Sequence, residues 1–161
     1  MLRDGADGLE ALFIQRAERA GDTWSGHIAF PGGRRDPGDA DLAQTAIRET
    51  REEIGVDLPA RGAELLGVLD DLHPRTPVLP PVVVRPFVFA LTGEPGIVVG
   101  PEVQAVFWIS CRAFRAPGAL TEVTVHHPGM PPRHLPAYVI GNRTVWGMSE
   151  RILTPLLSLV S

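Results

Sequence analysis

The chain has one cysteine, Cys111, in 161 residues. A single cysteine excludes an internal disulfide framework and a zinc cluster built from several thiolates. Cys111 itself reads as a small buried hydrophobe. No apolar run approaches the ~18 residues of a membrane span. No secretory leader is visible either, because charges are scattered through the opening "MLRDGADGLEALFIQRAERAG". These absences predict a cytoplasmic protein with no membrane partner. Positive charge is not in excess. The formal net charge is −4, which argues against a nucleic-acid partner. Repeats and low-complexity segments are missing, and the length suits one domain covering residues 1–161.

What is present reads as strands mixed with two helices, an α/β (α+β) chain. "LEALFIQRA" is short and apolar between turn-like residues, so it predicts a strand. "HIAFPGG" starts as a second strand and stops at Pro31. "AELLGVLDDL" runs from strand into loop, and the proline-rich "HPRTPVLPP" that follows excludes regular structure. "VVVRPFVFAL" is a strong strand in which Pro86 marks an edge or bulge. "AVFWIS" is another. Residues 116–140 read mostly as loop and short strands, and "GNRTVWGM" as a turn and short strand. "SERILTPLLSLV" predicts a last amphipathic helix, capped by Ser149 and kinked or divided by Pro155.

The clearest helix is "DLAQTAIRETREEIGV". Asp41 with Gln44 gives a capping-box pattern, and Gly55 stands where a left-handed cap is expected. At about 100° per residue, Leu42, Ala43, Ala46, Ile47, Thr50 and Ile54 share an arc of roughly 140°. This is the expected core stripe. Glu49, Glu52 and Glu53 fill an adjoining arc of about 100°. Their spacings of three and four residues cost a few tenths of a kcal/mol per like-charge pair. Glutamates near a helix C-terminus also oppose its dipole.

Two readings compete for this cluster. One is a solvated acidic face relieved by Arg48 and Arg51. The other is a platform for a hard divalent cation, which takes oxygen ligands and leaves the remaining positions to water or phosphate. The preceding loop favours the cation. Gly32-Gly33 allows close backbone approach, and a carbonyl of that turn is a candidate ligand.

These residues resemble the signature of the Nudix hydrolases, G-x5-E-x7-R-E-U-x-E-E-x-G-U with U aliphatic. Here the pattern runs from Gly33 through Asp39 to Arg48-Glu49-Thr50-Arg51-Glu52-Glu53-Ile54-Gly55-Val56. Asp39 replaces a glutamate, Thr50 replaces an aliphatic residue, and the spacer between Asp39 and Arg48 is one residue longer. With that spacer, "GGRRDPGD", "TAIRE" and "EEIGV" are most similar to the coenzyme A pyrophosphatase branch. "FPGG", "LDDL", "EVQAVFWI" and "VWGMSERIL" extend the likeness over most of the chain. The branch's upstream element differs, standing here as "DTWSGHIAF".

The resemblance implies an α/β/α sandwich with a mixed sheet. So little chain precedes "LEALFIQRA" that the first strand is expected to be missing or to begin upstream of Met1. It implies Mg²⁺ or Mn²⁺ held by Glu49, Glu52 and Glu53, with Gly32 as a further ligand and Arg48 orienting the carboxylates. The implied reaction is hydrolysis of a diphosphate linkage, with Glu52, Glu53 or Glu102 as general base. Coenzyme A or its thioesters are the favoured substrates. Nucleoside diphosphate sugars, dinucleotides and nucleoside triphosphates remain alternatives, as does a non-catalytic nucleotide-binding module. Arg16, Phe30, Asp70 and Arg75 are candidate substrate contacts. For Phe30, Trp24 and Trp146 packing is the stronger expectation, and for His27 a structural role. Asp71 is a further candidate, and His126-His127 reads as a surface pair. The family tendency to dimerise suggests a homodimer.

Overall fold

The computed structural model describes residues 1–21, 24–74, 81–126 and 129–160. Its elements run β1 (Leu2–Gly5), β2 (Gly8–Arg16), β3 (Ile28–Ala29), α1 (Leu42–Ile54), β4 (Glu64–Val68), β5 (Phe87–Leu91) and β6 (Val103–Ser110). They continue with α2 (Cys111–Phe114), β7 (Leu120–Val125), β8 (Arg133–Ile140), β9 (Arg143–Trp146) and α3 (Met148–Leu159).

The first sheet is mixed and six-stranded, ordered β3-β2-β1-β5-β4, with β6 also on β2. β6 occupies one edge of β2 from Glu10 to Arg16. The other edge is shared: β1 takes Gly8–Ala11 and β3 takes Ile14 and Gln15. β1 also pairs parallel with β5. The first strand is therefore present as β1, against the expectation that it is missing or begins upstream of Met1. Four residues suffice because Leu2, 2% exposed, is driven into the core while the tight turn to Gly8 sets the antiparallel register. β7, β8 and β9 make a second, antiparallel sheet. β8 has eight residues, more strand than the proline-rich sequence around it suggests.

Alternation along β2 sorts the core into two layers. Leu12 and Ile14 face one side with Ile54, Val56, Leu58, Phe89 and Val103. Ala11 and Phe13 face the other, with Phe114 of α2, Tyr138 and Val145 of the second sheet, and Leu153, Leu156 and Leu157 of α3. The result is the expected sandwich, with α1 on one face and α2, α3 and the second sheet on the other. Among the described residues, no helix is long and apolar enough to cross a membrane.

α1 begins and ends as its sequence predicts. The Asp41 side chain accepts from the Gln44 N–H, and Gly55 at φ 70° donates to the Arg51 carbonyl. The core stripe is shifted. Leu42 is exposed, whereas Thr45, Thr50, Glu53 and Ile54 are buried. In α3 the expected Ser149 cap is corrected: Gly147 is the N-cap and Ser149 is inside the helix. Its buried hydroxyl donates to the Ile28 carbonyl at 3.0 Å, so it ties the helix to β3 instead. Pro155 does not divide α3, which runs on to Leu159.

Candidate functional site

β3 hands the chain into the glycine loop, and that loop closes over α1 through one arginine. Arg48 donates from Nε to Asp39 Oδ1 and from Nη2 to Asp39 Oδ2, each at 3.0 Å. Its Nη1 donates to Glu49 Oε1 at 2.9 Å and to Glu52 Oε2 at 3.0 Å. Nη2 also reaches the Arg34 carbonyl at 3.0 Å. A planar guanidinium with five donors suits this task, and a lysine could not match the paired geometry. Asp39 is buried and also accepts from Thr45 Oγ1 and the Asp36 N–H, both at 2.9 Å. The Arg48 hydrogen bonds, then those of the Asp36 backbone, hold its carboxyl well below the usual carboxylate range. In turn Asp39, then Glu49, raise the pKa of Arg48 above its ordinary value.

Glu53 is the buried member of the cluster, at 5% exposure. Its Oε2 accepts from the Gly32 N–H at 2.9 Å. Burial pushes its carboxyl up to about 7, the Gly32 N–H opposes that, and the charges of Glu49 and Glu102 add to it. The Arg16 charge acts in the opposite direction. The structure thus brings Arg16 and Glu102 into the electrostatic environment of the box. Glu49 lies against the glycine turn: a Cβ on Gly33 would stand 2.5 Å from its carboxyl carbon.

The segment from 97 to 103 closes the C-terminal end of α1. Val98 N–H donates to the Ile54 carbonyl at 2.9 Å, and Gly100 N–H to the Glu53 carbonyl at 2.8 Å. These bonds satisfy carbonyls that a helix end leaves without intrahelical partners. The same segment carries Glu102, whose carbonyl accepts from Ala17 N–H at 2.9 Å. The Glu102 side chain pairs with Arg19 at 3.1 Å.

Other expected contacts fall elsewhere. Phe30 packs on Phe13, ring centroids 4.5 Å apart, which is the core role. Asp70 is exposed after β4, a strand at the opposite edge of the sheet from β3. Neighbouring Asp71 is committed to a two-point pair with Arg85, at 2.8 and 2.7 Å. Arg75 lies outside the described residues, as does His127, while His126 is exposed. Trp146 packs its ring 4.7 Å from that of His27. Arg51 points outward, and its carbonyl caps α1. Sequence reasoning did not find Asp39 as the anchor of Arg48, nor Arg19 or Gly100. For Asp39 the one available signal was its acidic position in the pattern.

Among the described residues, no three Asp, Glu, His or Cys side chains already stand as a metal cage. The donor chemistry nevertheless fits a hard divalent cation: an all-carboxylate set on one helix face, with the Glu49 carboxyl seated where a Cβ on Gly33 would intrude. Arg48 holds Glu49 and Glu52 together as the cation would. It engages one oxygen of each carboxylate, Glu49 Oε1 and Glu52 Oε2, and leaves the other oxygen of each to meet a cation.

A Nudix domain profile matches residues 1–128. The chain belongs to the Nudix family. A mouse mitochondrial coenzyme A diphosphatase is 39% identical over 64 residues, covering 40% of this chain and 30% of that protein. An uncharacterized fission yeast (Schizosaccharomyces pombe) protein is 36% identical over 117 residues, 71% of this chain and 36% of its own length. The chain thus spans about a third of the length of these two relatives. A Caenorhabditis elegans Ap4A hydrolase shares the fold, with TM-score 0.58 and 24% identity over 71% of this chain and 78% of its own.

Proposed function

We propose that this Nudix domain, taken as one unit over residues 1–161, is a metal-dependent pyrophosphohydrolase. Its substrate is a nucleoside diphosphate derivative, with coenzyme A or an acyl-coenzyme A favoured. The observation that carries the reading is the Asp39–Arg48–Glu49–Glu52 network beside a buried Glu53. A merely solvated acidic face has no use for a buried carboxylate or for an arginine shared among three acids. The coenzyme A preference draws on the long spacer before Arg48 and on the partial likeness to the mouse diphosphatase.

Glu49, Glu52 and Glu53 would hold Mg²⁺ or Mn²⁺, with the Gly32 carbonyl as a further ligand. Such a cation supplies charge neutralisation at the diphosphate and acidifies the attacking water. The remaining work belongs to the chain. Arg48, fixed by Asp39, presents Glu49 and Glu52 in one orientation. Glu53, buried on the helix face beside the glycine loop and held there by the Gly32 N–H, is placed to accept the proton of the attacking water. The Gly32 N–H on Oε2 fixes which Glu53 oxygen faces the loop. Glu102 is a second base candidate, held by Arg19. Arg16 places positive charge beside Glu53, where it would offset the repulsion between the carboxylates and a phosphate oxygen.

The test is a panel of coenzyme A, nucleoside diphosphate sugars, dinucleotides and nucleoside triphosphates with Mg²⁺ or Mn²⁺. Parent protein is expected to release phosphorylated products, and Glu53→Gln to lose about 10²–10⁴-fold in kcat. No cleavage by the parent, or equal rates for the variant, would sink the hydrolase. Equal rates on sugar nucleotides would remove the coenzyme A preference.

A further inference from the structure

A cleft of about 340 Å³ opens between the two sheets, and nothing in the mechanism above uses it. Its floor is Gln15 of β2 and Phe107 of β6. Both lie on the sheet face turned away from α1, the face that carries Phe13. His27 and Ile28 form one wall, and Asn142, Arg143 and Trp146 form the other. The volume lies within the ~300–1,000 Å³ usual for small-molecule sites.

The lining has a specific chemistry. The guanidinium of Arg143 lies 4.3 Å over the Phe107 ring. Stacking uses the flat face of that group and leaves its N–H edge directed elsewhere. Among the described residues no acceptor is bound to that edge, and the amides of Gln15 and Asn142 have no described partner. Trp146 and His27, ring centroids 4.7 Å apart, add ring surface. None of the lining residues is acidic, although the chain as a whole is negative. An acyl chain would leave these polar groups unpaired, and a bare inorganic anion would leave the rings unused. A heteroaromatic base carried on a phosphorylated sugar uses all of them: rings for stacking, amides for the base edge, and arginine for phosphate.

The cleft is also within reach of the box. Ile28 lines it, and Gly32, four residues on, donates to Glu53. Four residues of chain span at most about 14 Å, which an extended nucleoside diphosphate can cover around the short β3. We propose that this cleft binds the nucleotide end of the substrate. The base lies against Trp146, and Arg143, seated over Phe107, contacts a phosphate. The inference rests on the hydrolase reading for its role, and it is tested separately from turnover.

ADP binding is measured calorimetrically in EDTA for parent, Arg143→Met, Asn142→Ala and Glu53→Gln. Arg143→Met keeps an aliphatic stem over Phe107 at an exposed position, so the fold should survive, and circular dichroism checks this. It should weaken ADP about tenfold or more, while Glu53→Gln leaves ADP binding unchanged. With a hydrolysed substrate, Arg143→Met should raise KM by a similar factor, and its effect on kcat should be small beside that rise. On the parent, photolabelling with 2-azido-ADP should mark the segments around His27 or 142–146. Equal ADP affinity in parent and Arg143→Met, or a label confined to other segments, overturns the proposal. Arg143-dependent ADP binding in a protein that cleaves no diphosphate supports the cleft and sinks the hydrolase.

Discussion

Asp39 grips Arg48 through two hydrogen bonds, and Arg48 in turn grips Glu49 and Glu52. A change that keeps the shape of Asp39 and removes its charge should therefore act at a distance. Asp39→Asn is expected to cost about 10–100-fold in Mn²⁺ affinity and in kcat with secondary structure intact. Titration calorimetry and circular dichroism check the two halves, and unchanged affinity would reduce the pair to loop support. Glu53 makes a second prediction. Its folded pKa of about 7 lies above the ordinary 4.5. The raised value favours the protonated form, so this group's contribution to stability is complete below pH 4.5 and lost as pH rises through 7. The loss is at most about 3 kcal/mol. Metal-free parent should thus melt lower at pH 8 than at pH 5.5, and Glu53→Gln should flatten that difference. Mg²⁺ should restore the parent at pH 8 by pairing the buried charge. A parent and variant with the same pH profile would contradict the burial argument.

Two glycines separate the parts played by the elements that meet at α1. A Cβ on Gly33 would meet the flexible end of Glu49, whereas one on Gly100 would stand 2.4 Å from the Glu52 carbonyl oxygen. A side chain can swing away and a helix backbone cannot. Gly33→Ala is expected to keep its melting temperature and lose activity, since it displaces Glu49. Gly100→Ala is expected to lose about 1–3 kcal/mol, because it forces the 97–103 segment off the carbonyls it caps. Thermal melts beside initial rates distinguish the two, and the reverse pattern would overturn this account of the loop. The same helix shows how far sequence reaches. Asp41 and Gly55 are local signals, and each took its expected place; the glutamate spacing did not foretell that Glu53 is buried. The Gly100 contact, the Ser149 bond to β3 and the packing of Phe30 on Phe13 join positions far apart in sequence or depend on which strand face a residue takes. No spacing rule carries that information. β1 was obscured for another reason: four residues are too few for an alternation pattern, and the strand exists because β2 and β5 flank it.

Across the whole molecule, one sheet separates two candidate sites, the carboxylate box and the cleft, on its opposite faces. Leu12 and Ile14 face α1, whose end carries the carboxylates, and Phe13 and Gln15 face the second sheet and the open cleft. β2 supplies Arg16 to the box and Gln15 to the cleft as consecutive residues of one strand. A diphosphate at the box and a nucleotide in the cleft would therefore meet around the end of β2. The first part of this arrangement was legible because the box is contiguous. The second was not, because its residues come from β2, β3, β6 and β9 and share no motif. The proposed hydrolysis depends first on the carboxylate site of α1. Mn²⁺ binding at pH 8, measured for parent, Glu49→Gln and Glu53→Gln, tests it most directly. The account predicts that the parent binds and that each substitution weakens binding by about tenfold or more. Equal Mn²⁺ affinity in all three proteins would contradict it.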